Sequence, residues 1–227
     1  MQPIVVFGAG KVADVIAACI ERDAAAEILA YTCDADHAQA DTFRGKPLLP
    51  FAEAVERFPP ATAGMLVALG YHDCNALRVD RMDRAREAGY TLVGYTSRRA
   101  LVHPEVALGP NTVVLDGAIV QNGCRLGAGV IVWDGALIGH HSVVEDGCWL
   151  TGSAAVGGGA HLGAQCFLGL HATVGHGVTL GEACFLGART LATRDLPART
   201  ALVEPDTPPH RLDSRQFFRL ARQSLVE

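Results

Sequence analysis

No run of apolar residues in this chain is long enough to cross a bilayer, and the short segment Ile4 to Phe7 meets a glycine turn too early to act as a signal h-region. Basic side chains are few: 19 Lys and Arg against 24 Asp and Glu leave a net charge of -5, so no positive stripe is available to neutralise a nucleic-acid backbone. The seven cysteines contain no CxxC pair, which argues against a structural zinc site, and their odd number without a secretory segment argues against a disulfide framework. The expectation is a cytoplasmic protein with no metal, whose partners are neither membrane nor nucleic acid.

What the chain does have is a period. From Val102 onward every sixth residue is Val, Leu or Ile, through Val120, Ile138, Val156 and Val174 to Leu186, and the residue four places later is always small or β-branched. Six matches neither the 3.6 of a helix nor the two of a flat strand. It fits a solenoid in which each hexapeptide makes a short strand and a turn, three of them closing a triangular coil of 18 residues. Residues 98–195 are therefore expected to form a parallel β-helix of about five coils, with the large aliphatic filling the prism and the small residue near a corner. This places Cys124, Cys148, Cys166 and Cys184 inside as small hydrophobes.

Residues 1–97 read as a separate α/β domain, Rossmann-like, with a small parallel sheet. Its opening strand runs into Gly8-Ala9-Gly10-Lys11 and then a helix to Ile20, a turn that lets a phosphate approach a helix N-terminus. A second strand ends near Asp34 and Asp36, which are either acceptors for a ribose or base or ordinary loop acids. Pro47 to Pro50 reads as a short edge strand and Gly64 to Leu69 as the third parallel strand. After it, Gly70, Tyr71, Asn75 and Arg78 can reach a nucleotide, with helix capping by Asp73 or Asn75 as the alternative. Tyr90 to Tyr95 makes a last strand, and four or five strands suit a mononucleotide better than a whole NAD. Residues 196–227, rich in proline, read as a strap with a helix from Asp213 to Leu225 that caps the last coil or a neighbouring subunit's flank.

The repeat also shows which residues face outward. At 18-residue spacing, Asn122, His140, Gly158 and His176 share one column. A histidine on a rigid corner suits removal of a proton from an attacking hydroxyl or amine, so His140 and His141 are candidate general bases. Metal binding and a plain surface position are the other readings. Asn122 can fix an imidazole or a substrate group, and Glu145 can orient a histidine. Gly157 and Gly158 bare a backbone edge whose N–H can steady an oxyanion, or simply serve corner geometry. Arg189 and Arg194 stand late in the solenoid, where coenzyme A phosphates need cations, and Trp149 is an aromatic that can pack on coenzyme A, on sugar or at a subunit contact.

With Ile138-Gly139-His140-His141-Ser142 on a hexapeptide solenoid behind a glycine-rich α/β unit, the chain resembles the bacterial nucleotide-sugar acyltransferases, the amino-sugar N-acetyltransferase and sialic acid O-acetyltransferase group. The resemblance implies a left-handed β-helix, a homotrimer, acetyl-CoA along the groove between adjacent solenoids, and a UDP- or dTDP-linked amino sugar held by the N-terminal domain. It places the general base at His140. It also shows departures: His141 stands where glutamate commonly follows the base, Trp149 where a second histidine falls, and Lys11-Val12-Ala13 where Gly-His-Gly is frequent. O-acylation, a longer acyl group and a non-catalytic sugar-nucleotide scaffold remain as alternatives.

Overall fold

Strand β1 (Ile4–Phe7) is apolar at every position because both its faces are covered. Ile4 and Val6 meet Ala13, Ile16, Ala17 and Ile20 of helix α1 (Lys11–Arg22), while Val5 and Phe7 meet Phe51 of α2 (Phe51–Arg57) and Met82 and Ala85 of α3 (Ala76–Glu87). Around β1 stand β2 (Ile28–Cys33), β4 (Lys46–Pro50) and β5 (Gly64–Val67), all parallel, with the two-residue β3 (Thr42–Phe43) antiparallel to β4. The order is β3-β4-β2-β1-β5, so the segment around Pro47 to Pro50 lies inside the sheet and β3 forms the edge. The computed structural model describes residues 2–38 and 40–223.

The other edge, β5, is closed by the chain on its way into the solenoid. Leu92 bridges to Met65, and the side-chain amide of Asn111 both accepts from Val67 N–H (2.7 Å) and donates to Val67 C=O (3.0 Å), standing in for one residue of a further strand. The segment expected as a last α/β strand thus divides. Leu92 belongs to the α/β sheet, and Tyr95–Thr96 already pairs with Val113–Val114 of the solenoid.

From Tyr95 the chain winds as a parallel β-helix with three flat sheets of six, five and seven two-residue strands. Up to Leu191–Ala192 each strand pairs with the strand 18 residues away, as in Leu137↔Ala155 and Ile138↔Val156, so the repeat length read from sequence is the coil length; the final turn is shorter, with Phe185 pairing Ala201. The inward aliphatics and all four repeat cysteines form one buried core. The small position has a second duty. Thr112, Cys124, Ser142, Cys148 and Cys166 each donate to the carbonyl 15 residues ahead, from Thr112 Oγ1→Gly127 O (2.7 Å) to Cys166 Sγ→Gly181 O (3.2 Å). Those glycine carbonyls turn inward at a corner, and a short donor satisfies them.

The α/β domain lies on the third sheet, where Val113, Ile131, Trp149 and Phe167 point outward into the cluster that holds α1. Polar contacts pin the junction: Arg22 holds Asp116 (2.6 Å) and Tyr95 Oη donates to Asp23 (2.7 Å). At the far end, Leu196 and Leu202 pack on the last coil. Helix α4 (Ser214–Gln223) does not cap it, because Phe217, Phe218 and Leu220 are all exposed. The expected extension of this helix to Leu225 lies outside the described residues. No helix among the described residues is long and apolar enough to cross a membrane.

Candidate active site

His140 and His141 stand at the corner between the first sheet, after Leu137–Ile138, and the second, before Val143–Val144. His141 has φ 58°, the left-handed turn that sends Ser142 inward, and donates its N–H to Asn122 O (3.0 Å). His140 donates its N–H to the side chain of Gln121 (2.9 Å). The two Nδ1 atoms are 3.2 Å apart, so one ring can donate to the other, with the rings edge to face.

Glycines explain how the rings are seated. A Cβ on Gly158 would lie 2.6 Å from His140 Nε2, and one on Gly123 would lie 2.8 Å from His141 Cδ2. Each imidazole therefore rests against a bare backbone of the adjoining coil. Gly157 has a different reason: its Cβ would strike His176 N at 2.6 Å, so it lets coils stack. The N–H of Gly157 is spent on Val174 O (2.8 Å), which removes it as an oxyanion donor and leaves that of Gly158.

The same corner carries Asn122, His176 and Arg194, all exposed. An open cavity of about 510 Å³ beside it is lined by Leu101, His103, Gln121, Asn122 and His140. His103 and Gln121 were not singled out from sequence. They occupy the column that continues as Gly139 and Gly157, so the same 18-residue rule contains the signal.

Other expected residues lie elsewhere. Glu145 is at the next corner, where Oε1 meets His161 Nε2 (2.7 Å) and Oε2 accepts from Ala164 N–H (3.0 Å); it orients His161 and not His140. Arg189 stands at the third corner, exposed, with φ 63°. Trp149 is 2% exposed at the domain junction, beneath Tyr71 (5.4 Å) and against the Arg78 guanidinium (5.1 Å), so coenzyme A cannot lie on it. Burial pushes the Cys124 and Cys148 thiols up, which leaves neither suited to nucleophilic attack.

Arg78 is fully buried and gives its N–H groups to Gly129, Gly147, Cys148 and Gly70 carbonyls and to Asn75 Oδ1. Burial lowers its pKa to about 10. Asn75, also buried, donates to Gln165 O (3.1 Å). Both were expected to reach a nucleotide; instead they bolt α3 to the solenoid, because a buried guanidinium with carbonyl partners has nothing left for a ligand.

In the α/β domain the sheet order reverses direction between β1 and β5, which makes the ends of those strands the switch point where ligands of doubly wound sheets sit. Gly8, with φ +130° and a Cβ position 2.7 Å from Ala68 O, allows the two strand ends to approach. Gly10 precedes α1 with open space where a Cβ would be, Lys11 is exposed beside it, and Gly70 and Tyr71 follow β5 across the crevice. Asp36 is exposed in the turn Ala35–His37. Asp34 is not open: Arg81 and Arg84 hold it (2.8 and 2.6 Å). Burial works to raise its pKa, but the hydrogen bonds and charge of the two arginines outweigh this and leave it lowered. Among the described residues no group of three His, Cys, Asp or Glu side chains is placed to hold a metal ion.

A parallel β-helix with its candidate base at a glycine-backed corner, joined to an α/β domain with an open switch-point crevice, has the architecture of a hexapeptide-repeat protein with a left-handed solenoid. Sequence comparison gives no matching family model and no matching curated protein. Solved structures do match. Perosamine N-acetyltransferase from Caulobacter crescentus, in complex with CoA and GDP-perosamine, is 28% identical over 88% of this chain and 93% of its own, with a TM-score of 0.80. The acetyltransferase domain of PglB from Neisseria gonorrhoeae (24% identity, 88% and 96% covered, TM-score 0.76) and WeeI from Acinetobacter baumannii (16%, 90% and 97%, 0.74) share the fold. The chain resembles the bacterial sugar acyltransferases of the hexapeptide-repeat superfamily, and this likeness supports a transferase enzyme with an acyl-CoA cosubstrate.

Proposed function

We propose that the protein is an acetyl-CoA-dependent N-acetyltransferase acting on a nucleotide-linked amino sugar, with His140 as general base. The observation that carries this is the seating of His140: a ring fixed by Gln121, His141 and Gly158 at a corner that opens on a cavity. The sugar amine attacks the thioester carbonyl as His140 takes its proton. The Gly158 N–H steadies the oxyanion, the C–S bond breaks, and the imidazolium returns the proton to the departing thiolate. Residues 1–97 hold the sugar nucleotide, 98–195 carry acyl transfer, and 196–227 form the terminal strap. In this reading Arg194 and His176 flank coenzyme A, and Arg189 at its separate corner meets it only from a neighbouring subunit.

The working unit is a homotrimer. The α/β domain covers the third sheet, and the His140 corner lies between the other two, so a sugar held in the crevice of one chain is across the prism from that chain's own base. A neighbour's base solves this. The first sheet offers the contact: Leu101 and Leu191 are 67% and 60% exposed, with Ile119 and Leu137 between them. The uridine or thymidine carrier implied by resemblance gains no support from the similar enzyme, whose complex holds a GDP sugar.

The test is thiol release from acetyl-CoA with nucleotide-linked amino sugars. His140→Ala should fold normally and lose about 10²-fold or more in turnover. Full activity of that variant would sink the proposal.

A further inference from the structure

The apolar side of α4 is uncovered: Phe217, Phe218 and Leu220 are 48%, 71% and 55% exposed. At about 100° per residue these three fall within an arc of about 160°, and Arg215, Arg219 and Gln216 fall outside it. The helix is closed by its own residues. The Asp213 carboxylate accepts from Gln216 N–H (2.8 Å) and Gln216 Oε1 accepts from Asp213 N–H (3.1 Å), a capping box. The edge of the His210 ring meets Phe217, with centroids 5.2 Å apart. These contacts stay within residues 210–217, and a helix of 10 residues is marginal in water without a surface to pack on.

The chain's own solenoid is a poor surface for it. Its last coil is already covered by Leu196 and Leu202. The large exposed apolar side chain on the first sheet there, Leu191, stands between Arg189 and Arg194, both exposed, so a helix laid across it would bring Arg215 and Arg219 against like charges. Residues 203–211, exposed throughout and carrying Pro205, Pro208 and Pro209, can hold α4 up to about 30 Å from the coil.

Charge indicates what the helix does fit. Arg215, Arg219 and Arg222 lie in α4 with no acidic residue, so it contributes +3 to a chain whose net charge is -5, and the rest of the chain stands at -8. A polyanionic surface therefore attracts this segment while repelling the bulk of the protein. A basic face beside an apolar face bearing two phenylalanines and a leucine matches the boundary between headgroups and acyl chains. The expectation of no membrane partner rests on the lack of a spanning run, which a helix lying along a surface does not need.

We propose that α4 docks the protein on an anionic bilayer surface, Phe217, Phe218 and Leu220 entering the acyl boundary and Arg215 and Arg219 lying among the headgroups. The proposal is independent of the acyl-transfer reading, because α4 carries none of the residues assigned to that chemistry.

Cosedimentation of the full-length protein with vesicles tests it, using phosphatidylcholine alone and phosphatidylcholine with about a third phosphatidylglycerol. Binding to the anionic vesicles should be about tenfold or more tighter than to the neutral ones, and should weaken as salt rises from about 0.05 to about 0.5 M. The double variant Phe217→Ser, Phe218→Ser should lose about tenfold or more on anionic vesicles, and the double variant Arg215→Gln, Arg219→Gln should lose the preference between the two compositions. Both variants change exposed positions and should keep the parent Tm. No binding to anionic vesicles, equal binding to both compositions, or undiminished binding by the phenylalanine variant overturns the proposal. A parent that ignores vesicles while the phenylalanine variant has a lower mass by light scattering would also overturn it, and would assign α4 to a second copy of the chain.

Discussion

Replacing Gly158 by alanine isolates the seating of His140 from every other role of the glycine stripe. Gly158 is not in the left-handed region, so alanine has no backbone objection there. Its methyl group would lie 2.6 Å from His140 Nε2, 2.7 Å from Cε1 and 3.0 Å from Cδ2. Comfortable contact needs about 3.5 Å, so the ring edge must withdraw by roughly 1 Å. The imidazole is the end of a side chain and can swing outward, so the cost falls on alignment more than on folding. A displacement of about 1 Å at a reacting group is worth about 10²-fold in rate. Thiol-release assays should show that loss in kcat, while thermal and urea denaturation stay close to the parent. Gly159→Ala is the counterpart: no atom lies within 4 Å of its Cβ position, but φ is +70°. It should lose about 1 kcal/mol of stability and retain kcat. Wild-type kcat in Gly158→Ala, or equal kcat losses in the two variants, would refute the seating argument.

Arg78→Ala should cost about 3–5 kcal/mol in urea denaturation, because it leaves the buried carbonyls of Gly129 and Gly147 without donors at the domain junction. Glu145→Gln should change stability by less than about 1 kcal/mol and leave kcat unaltered, since its pair with His161 is half exposed and lies at a different corner from His140. Acid stability should depend on Asp23, whose pKa is lowered by Arg22, by the Arg98 N–H and by the Tyr95 hydroxyl. A depressed native value means its contribution is complete above the unfolded value of about 3.9 and is lost as pH falls through the native one, so Asp23→Asn should flatten the fall of Tm below about pH 4. Mixing subunits tests the shared site: Gly10→Glu blocks the phosphate turn at a position with open space around it, and coassembly with His140→Ala should restore about a quarter of full activity, the fraction of sites that draw one intact half from each chain. No recovery on mixing would place the whole site in one chain.

The solenoid was legible because its constraint is repetitive: Val120, Ile138 and Val156 each fill the same inward position, and one rule tested at every coil leaves little freedom. That rule also located His140, Asn122 and Gly158 on one corner, and continued one column back it contains His103 and Gln121. Glu145 shows its limit. Five residues after His140 looks near in sequence, but a coil turns a corner in six, and Glu145 therefore serves His161 on another edge. In the α/β domain no such ruler exists. Arg78 and Asn75 looked like ligand groups because polar residues after a strand end usually are, and Trp149 because an outward aromatic on a coil can meet a ligand; only the docking of that domain on the third sheet turned them into its fastening. The misreading has a physical cause, since a domain interface and a ligand site both recruit arginine, asparagine and tryptophan to bury polar contacts. What separates them is whether the hydrogen bonds are already complete. Arg78 has used every donor, whereas Asp73, five residues earlier on a loop that Arg78 helps hold, has used none of its carboxylate acceptors. The fastening therefore fixes where Asp73 stands, so the position of that exposed carboxylate is set by the solenoid.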